Sequence, residues 1–531
     1  MSVLLLLLLG VFTLILCVLG GRKRRNGEPP LITGWIPFIG KALEFGKDAH
    51  KFLEEHKKKF GDIFTVQIAG KYMTFIMDPL MYPNIIKHGR QLDFHEFSNK
   101  VAPVTFGYPP VIKGKFPGLQ EQVKRSFKLL QGDNLQLLTE SMMGNLMLVL
   151  RQDHLDPRLE DHLDPRPEDH LDPRPEDHLD PRPEDHLDPR PEDGGGWRTG
   201  SMYDFCISVM FEATFLTMYG RPAAARRHSG MSVMREDFVR FDNMFPLLIA
   251  QIPIWLLGRT KAIREKLISC FLPQSMSCWS NTSQFIRERS RLFDQYDSLK
   301  DFDKAAHHFA ILWASVGNTV PATFWAMYYL VSHPEALSVV RQEIHDVLQL
   351  SGVEFGSDRD VTLSKDQLEK LCYMNSSISE SLRLSSASMN IRVAQEDFSL
   401  RLQGEHSAEV RKGDIIALYP QSMHMDPEIY EEPQTFRFDR FVQDGREKTD
   451  FFKDGQKLKY YRMPFGSGSS KCPGRHFAVN EIKQFLCLML LYFDIELEEG
   501  QSRATLDSSR AGLGILLPTT DVRFRYRLRA A

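Results

Sequence analysis

The sequence contains few cysteines and carries little net charge for its length. Seven cysteines in 531 residues show no paired spacing, so the chain is not expected to contain disulfides. This odd, scattered usage favours a reducing compartment, in which thiols stay free. The formal net charge is only −3, and no nucleic-acid partner is expected. With 42% hydrophobic residues, the chain can bury a large core and is long enough for more than one domain.

A long apolar run occurs only at the amino terminus, within residues 1–21. No basic residue precedes the run, whereas the basic cluster Arg22–Arg25 follows it at once, and positive charge stays on the cytosolic side of a membrane. Residues 1–21 are therefore predicted to be an uncleaved, single-pass membrane anchor with the body of the protein in the cytosol. A cleaved signal peptide is the alternative, because Val18–Gly20 is typical of a cleavage site. Residues 22–40, which are basic and proline-rich, are predicted to form a stiff linker.

An octapeptide recurs five times between His154 and Asp193. Most repeats contain two prolines and one leucine, which excludes a helix or central strand and cannot support a core. Residues 154–193 are therefore predicted to be a disordered, solvated insert in a domain that spans residues 41–531. Each repeat has a net charge of −2, so the rest of the chain carries +7, which suits a body near anionic lipid and an acidic redox partner. The repeated histidines could bind metal, but the flexibility of the segment argues against it.

The most informative segment is Phe465–Arg475, a glycine-rich loop ahead of an apolar helix. It matches every fixed position of the pattern Phe-x-x-Gly-x-x-x-Cys-x-Gly, with Phe465, Gly468, Cys472 and Gly474. A thiolate bound to haem iron needs N–H groups directed at its sulfur, a close backbone approach that glycine permits, and a following helix N-terminus. The segment therefore predicts a haem-thiolate site with Cys472 as the axial ligand of the iron. A buried free cysteine is the alternative.

Further motifs, together with this loop, resemble those of the cytochrome P450 superfamily. Glu380 and Arg383 stand three residues apart on one helical face, and Arg440 follows in Phe-x-Phe-Asp-Arg-Phe, before the cysteine loop. The resemblance implies a mainly α fold with a small β component, with haem b as the cofactor. It also implies that Glu380, Arg383 and Arg440 form a buried charged triad.

A long helical run is predicted over residues 302–333, and it contains the sequence Gly-Asn-Thr-Val-Pro. In the superfamily this helix crosses the haem, and an acid followed by threonine relays protons to oxygen. The resemblance assigns Thr319 to that threonine and puts Asn318 in the place of the acid. An amide cannot donate a net proton, though it can orient a water or a substrate hydroxyl. Pro321 removes a backbone donor and should break the helix locally; a merely kinked core helix is the alternative.

Two features resemble the group of steroid 7α-hydroxylases, sterol 12α-hydroxylases and prostacyclin synthases. One is Asn318 in the place of the acid, and the other is Ser470 where most superfamily members carry an arginine for a haem propionate. A second usual cation is missing too, since no Trp-x-x-x-Arg surrounds residues 124–125. Arg392 is then the best remaining partner for a haem propionate, with possible help from Lys471 or Arg475.

Segments along nearly the whole chain outside the insert, among them Gly27–Ile32, Glu140–Met143 and Phe324–Leu330, resemble those of the oxysterol 7α-hydroxylases within this group. They imply a monooxygenase of the endoplasmic reticulum membrane that acts in sterol and bile acid metabolism. It would use O2 and electrons from NADPH–cytochrome P450 reductase to hydroxylate 25- or 27-hydroxycholesterol at C7. Four alternatives remain: a sister sterol hydroxylase, an isomerase of the prostacyclin synthase type, a non-enzymatic haem carrier, and a copy inactivated by the insert.

Overall fold

Four helices that bury most of their apolar side chains form the centre of the molecule. They are α6 (Asp133–Leu150), α7 (Met202–Tyr219), α14 (Thr319–Val331) and α19 (Arg475–Tyr492), and they pack against one another. The computed structural model describes residues 22–36, 38–110, 116–155, 196–222, 230–352, 361–402 and 407–529, together with Gly10. Within these ranges helices dominate and strands are short, which confirms the predicted mainly α architecture with a small β component.

The α-helices are numbered in chain order. They comprise α1 Ala42–Lys47, α2 Ala49–Phe60, α3 Tyr82–Lys87, α4 His95–Phe106, α5 Leu119–Ser126, α6, α7, α8 Met231–Asn243, α9 Phe245–Ile249, α10 Thr260–Ser269, α11 Pro273–Ser277, α12 Gln284–Asp294, α13 Asp301–Val316, α14, α15 Pro334–Leu350, α16 Lys365–Lys370, α17 Cys372–Ser385, α18 Pro420–His424 and α19.

The strands are numbered in the same way. They comprise β1 Leu31–Ile32, β2 Ile63–Ile68, β3 Lys71–Ile76, β4 Leu92–Asp93, β5 Arg198–Ser201, β6 Arg221–Pro222, β7 Trp279–Ser280, β8 Asn390–Ala394, β9 Phe398–Arg401, β10 Ser407–Val410, β11 Ile415–Leu418, β12 Val442–Gln443, β13 Arg446–Glu447, β14 Phe452–Lys453, β15 Gln456–Lys457, β16 Phe493–Leu497 and β17 Arg523–Leu528.

The largest sheet has six strands in the order β1-β2-β3-β11-β8-β4. Its β2–β3 hairpin closes through Ala69 and Gly70, both with positive φ (47° and 74°), as a two-residue turn between right-twisted strands requires. The sequence predicts this hairpin, from residues 64–68 and 72–77 around Ala69–Lys71, and short strands over residues 391–394, 398–402 and 414–418, which the structure has as β8, β9 and β11. This sheet places β8 beside the cysteine loop, since Ser467 donates a hydrogen bond to Asn390 at 3.1 Å.

The predicted helical run over residues 302–333 is divided into two helices. α13 ends at Val316 and α14 begins at Thr319, so Gly317 and Asn318 form the break. Pro321 has no N–H, and the carbonyl of Gly317 therefore has no donor one turn later. The prediction of a local break at this proline is confirmed.

The first residues of the predicted linker are fixed to the body of the protein. Arg22 has a largely buried side chain, with Nη2 at 3.4 Å from Glu28 Oε1 and Nη1 in an ion pair with Asp414. Arg411 Nη2 also donates to Glu28 Oε2 at 2.8 Å. Burial raises the pKa of Glu28, but the hydrogen bond from Arg411 and the two arginine charges outweigh it and lower the pKa to about 2. The linker therefore begins inside the body and not as a free connection.

The predicted anchor, residues 1–21, lies outside the described residues except for Gly10. Within the part of the chain that the structure describes, no helix is long and apolar enough to cross a membrane.

The octapeptide segment leaves and re-enters the body at neighbouring points. A π-helical turn, Arg151–Leu155, continues α6, and His154 Nδ1 shares a hydrogen bond with the Tyr526 hydroxyl at 2.9 Å. Tyr526 is also the partner of Arg198 in the β17–β5 ladder. Leu155 packs against the core, so the first two residues of the predicted insert belong to the body, because α6 continues through them. Residues 156–193 lie outside the described residues.

Deletion of residues 156–193 is expected to leave folding and haem content intact. The two flanks already adjoin at Tyr526, so residues 194–196 can bridge them, and a shorter loop costs less closure entropy. The urea midpoint should stay equal or rise slightly, with an unchanged ferrous carbonyl spectrum. As a control, a deletion that begins at residue 152 also removes the contacts of His154 and Leu155, and should lower the midpoint. Loss of folding in the first deletion would show that the repeats contact the body.

Candidate active site

Cys472 lies on the loop immediately before α19. Its own N–H donates to the carbonyl of Phe465 at 2.8 Å, which closes the loop. The backbone N–H groups of Gly474 and Arg475 lie close enough to its sulfur to lower the pKa of the thiol. Because Gly474 is the N-cap of α19, these donors belong to the positive end of that helix. The structure thus provides the amide donors and the helix N-terminus that the sequence predicted around Cys472.

The thiol of Cys472 is held mostly away from water. Burial raises its pKa, while the N–H groups of Gly474 and Arg475 and the charge of Arg475 lower it, and the net direction is upward. The protein's own groups therefore do not keep this sulfur ionised without a bound cation. A metal ion bonded to the sulfur would supply that charge.

The three glycines of the loop are required for different reasons. Gly466 and Gly468 have φ of +71° and +58°, and a Cβ on Gly468 would lie 2.7 Å from Ile86 Cγ2. Gly474 has an ordinary φ of −88°, and the nearest atom to a Cβ there is Leu130 Cδ1 at 3.7 Å. The fold itself requires glycine at the first two positions. At position 474 the protein itself does not require glycine, and only the close approach of a bound group such as the predicted haem would require it.

A cavity of about 350 Å³ joins the cysteine loop to the helix break. Predicted site residues Phe465, Cys472, Asn318 and Thr319 all line it. The rest of the lining comes from residues that are mostly apolar or are glycines. These include Phe94, Ala314, Ala322, Leu382, Met389, Ile391, Pro464, Ala478, Ile482, Gly512, Leu513, Gly514 and Ile515. Such a cavity suits an apolar ligand held by few polar groups.

The side-chain oxygen of Asn318 is already hydrogen-bonded within the protein. Its Oδ1 accepts a hydrogen bond from the N–H of Ile515 at 3.0 Å. Gly514 has φ +133°, and a Cβ there would lie 2.1 Å from this oxygen, so only glycine fits. Nδ2 remains as the donor that can orient a water or a substrate hydroxyl. Thr319 is buried beside it, and its carbonyl accepts from the Thr323 hydroxyl at 2.8 Å.

Arg392 lies behind the cysteine loop on β8 and is 2% exposed. Its Nη2 donates to Ser467 O at 3.0 Å and to Ser470 Oγ at 3.2 Å. Its Nη1 is buried and has no hydrogen-bond partner within the described ranges. A buried guanidinium N–H without a partner is costly, so an anion is expected to bind there. Together with the cradle of Cys472 and the adjoining cavity, this unpaired donor fits a haem whose propionate lies against Arg392.

Two other cations near the loop differ in their environment. Arg475 Nη1 donates to the carbonyl of Cys472 at 3.0 Å, whereas Lys471 is exposed. Of these three cations, only Arg392 has a buried donor without a partner within the described residues.

The predicted triad residues lie together and are buried. Arg383 donates from Nε and Nη2 to the two carboxylate oxygens of Glu380 at 2.7 and 2.8 Å. Arg440 Nε donates to the same carboxylate at 2.7 Å. Glu380 and Arg383 are 0% exposed. One carboxylate thus joins α17 to the segment before the cysteine loop.

The loop Gly512–Ile515, which forms one wall of the cavity, was not predicted from the sequence. Its residues follow the cysteine loop by forty positions and contain no titratable group. The two glycines two residues apart, Gly512 and Gly514, both have positive φ and were the available signal for a close backbone approach.

Comparison with known proteins agrees with this geometry. The family model "Cytochrome P450" matches residues 29–146 and 193–524, so nearly all of the octapeptide segment lies outside the matched regions. The chain is 41% identical to "Cytochrome P450 7A1" of Sus scrofa, over 98% of the chain and 99% of that protein. It is 40% identical to "Cytochrome P450 7B1" of Mus musculus, over 97% of the chain and 94% of that protein.

A third relative is "25-hydroxycholesterol 7-alpha-hydroxylase" of Rattus norvegicus, with 38% identity over 85% of the chain and 99% of that protein. Because the matched regions include both the broken helix and the cysteine loop, this protein belongs to the cytochrome P450 family.

Proposed function

We propose that this P450 is a sterol monooxygenase that hydroxylates 25- or 27-hydroxycholesterol at the 7α position. The observation that carries the proposal is the largely apolar cavity between Cys472 and the Asn318–Thr319 break. Two relatives named for 7α-hydroxylation, "Cholesterol 7-alpha-monooxygenase" of Cricetulus griseus and the 25-hydroxycholesterol enzyme of Rattus norvegicus, are 40% and 38% identical to the chain. A relative named for 12α-hydroxylation, from Homo sapiens, is 35% identical. These values favour C7 over C12.

The roles of the chain's own residues follow from the site. Haem b, held by Cys472 and Arg392, would supply oxygen activation and insertion of one oxygen atom into a C–H bond. The Thr319 hydroxyl can hold and pass a proton at the cavity wall, and Asn318 Nδ2 can orient the water that delivers it. The apolar lining excludes other water and holds the sterol ring by contact.

We further propose that the protein is anchored in the endoplasmic reticulum membrane and receives electrons from NADPH through NADPH–cytochrome P450 reductase. Support comes from large apolar side chains that are exposed on the body: Trp35 (90%) and Phe38 (67%) near the amino terminus, and Trp255 (72%) and Leu256 (58%) after α9. Exposed tryptophan and leucine of this kind suit the lipid interface. The net positive charge outside the octapeptides suits an anionic membrane and an acidic redox partner.

Product analysis of the purified, reductase-coupled protein on a panel of sterols tests the proposed reaction. The expected product from 25- or 27-hydroxycholesterol is the 7α-hydroxylated sterol. Hydroxylation at C12 alone would instead identify a sister enzyme, and would contradict the proposal.

Thr319→Ala is expected to uncouple the enzyme. Without the hydroxyl, NADPH should still be consumed, but product per NADPH should fall by about tenfold or more, with release of peroxide. Thr323→Ala is the matched control, because Thr323 lies one turn along the same helix and does not line the cavity. It should stay coupled, and Thr319→Ser should largely restore coupling.

Thr319→Ala also distinguishes a hydroxylase from an isomerase of the prostacyclin synthase type. The isomerase remains an alternative because Asn318 stands at the position of the acid. An isomerase would convert an endoperoxide without NADPH or reductase, and would be nearly indifferent to loss of the Thr319 hydroxyl. That result, without oxidation of any 25- or 27-hydroxylated sterol, would overturn the proposed function.

A further inference from the structure

Three residues from distant parts of the chain meet at one buried carboxylate. Asp242, near the end of α8, accepts a hydrogen bond from Trp313 Nε1 on Oδ1 at 2.8 Å. Its Oδ2 lies 2.9 Å from Arg510 Nη2, and Arg510 Nη1 also donates to the Asp242 carbonyl at 3.3 Å. The carboxylate and the guanidinium side chains are 10% and 8% exposed. We call these three residues the clasp.

The clasp joins two walls of the substrate cavity. Trp313 immediately precedes Ala314 in the helix wall, and Arg510 stands two residues before Gly512 in the loop wall. A second tie between the same walls is the hydrogen bond from Ile515 N–H to Asn318 Oδ1 at 3.0 Å. Residues 313–318 of the helix wall and residues 510–515 of the loop wall are therefore joined at two places. One is the clasp, and the other is the hydrogen bond between Ile515 and Asn318.

The indole of the clasp is fixed on its other sides. Its ring stacks on Phe245 at 3.9 Å between centroids, with 18° between the planes. It also lies back over Gly317, where a Cβ would be 3.2 Å from Trp313 Cε2. The glycine of the helix break thus makes room for the indole. Phe245 begins α9, which leads to the exposed Trp255, so the clasp connects the cavity to the surface proposed to meet lipid.

A purely stabilising role explains this arrangement poorly. Burial raises the pKa of Asp242, although Arg510 and Trp313 lower it, which means that the ionised carboxylate is costly at this position. Buried ion pairs are often no more stabilising than apolar side chains of the same volume. What they provide is directional geometry, because each donor must meet a particular oxygen.

We propose that the clasp is a positioning device for the sterol. Asp242, Trp313 and Arg510 hold the loop wall, residues 512–515, against the helix wall, residues 314–319, and so set the width of the cavity. The width in turn determines which carbon of a rigid sterol ring faces Cys472. The inference rests on the proposed sterol hydroxylation. None of the three residues lines the cavity itself, so each acts through its neighbours in the wall.

Amide hydrogen exchange of the haem-loaded protein without substrate tests the clasp independently of activity. Trp313→Phe removes one hydrogen bond to the Asp242 carboxylate, and Arg510→Met removes the ion pair together with the bond to the Asp242 carbonyl. We expect exchange over residues 512–516 to accelerate by about tenfold, the effect of losing one charge-assisted hydrogen bond. Lys453→Met is the matched control, since it breaks the ion pair with Asp426 (2.6 Å, both side chains 15% exposed) outside the cavity lining. Unchanged exchange in both clasp variants would overturn the inference.

Product distribution tests the positioning role. Arg510→Met and Trp313→Phe should raise the KM for 25-hydroxycholesterol and give hydroxylation at more than one carbon, with total turnover little changed. The control should retain the wild-type product. Asp242→Asn/Arg510→Gln restores a neutral hydrogen-bonded pair and should recover selectivity. If exchange accelerates while KM and product ratio stay at wild-type values, the positioning role is wrong. If the wild-type protein oxidises no sterol, the proposed function fails, and exchange alone decides whether the clasp holds the loop.

Discussion

Cys472→Ser should abolish the red-shifted ferrous carbonyl absorption and all oxygenation of substrate. The shift depends on a thiolate that would bind the haem iron, and a serine hydroxyl has too high a pKa to replace it. The fold should survive, because the loop is closed by the backbone bond from residue 472 to Phe465 and not by the sulfur. The reduced carbonyl spectrum of purified protein is the measurement, with haem content determined in parallel.

Another cysteine provides the control for this substitution. Cys278 is exposed and does not line the cavity, and Cys278→Ser should keep the wild-type spectrum. A normal red-shifted spectrum in Cys472→Ser would show that a different residue binds the iron, and would end the assignment of this loop as the haem-thiolate site.

The sequence predicted those parts of the site that lie within short segments. The pattern from Phe465 to Gly474 and the pair Glu380 and Arg383 are local, because their partners stand within one loop or one helical turn. The β2–β3 hairpin was predictable for the same reason. In each case the spacing of a few residues determines both the local structure and the chemistry.

Long-range contacts account for what the sequence did not reveal. Arg22 was predicted to belong to a stiff, basic linker, and its carboxylate partner Asp414 is 392 residues away. Asn318 was expected to orient a water or a substrate hydroxyl, and the sequence did not reveal that the N–H of Ile515, 197 residues later, donates to its Oδ1. The clasp joins residues that share no motif. Periodicity and propensity carry no information on such pairs, since they depend on how the helices pack.

Arg383→Ala is expected to prevent accumulation of folded, haem-loaded protein. The substitution removes two of the hydrogen bonds to the Glu380 carboxylate and leaves it buried with Arg440 as its remaining ion-pair partner. Breaking a buried ion pair in this way costs about 3–5 kcal/mol, a large share of the stability of an ordinary domain. Arg383 Nη1 also donates to the carbonyl of His424, so that oxygen loses a donor as well. Haem content per milligram of purified protein and the urea unfolding midpoint are the measurements.

Arg437→Ala is the control, because it removes an arginine of the same segment whose ion pair is exposed instead of buried. Arg437 forms an ion pair with Glu431 at 2.9 Å, but the two side chains are 40% and 82% exposed. Solvent screens such a pair, so Arg437→Ala should cost at most about 1 kcal/mol and leave haem content unchanged. Glu380→Gln should cost at least as much as Arg383→Ala, because it leaves two buried arginines without their carboxylate and turns an amide donor toward one of them. If Arg383→Ala instead loaded haem fully and unfolded at the wild-type urea concentration, the triad would be dispensable for folding, and its burial would need another explanation.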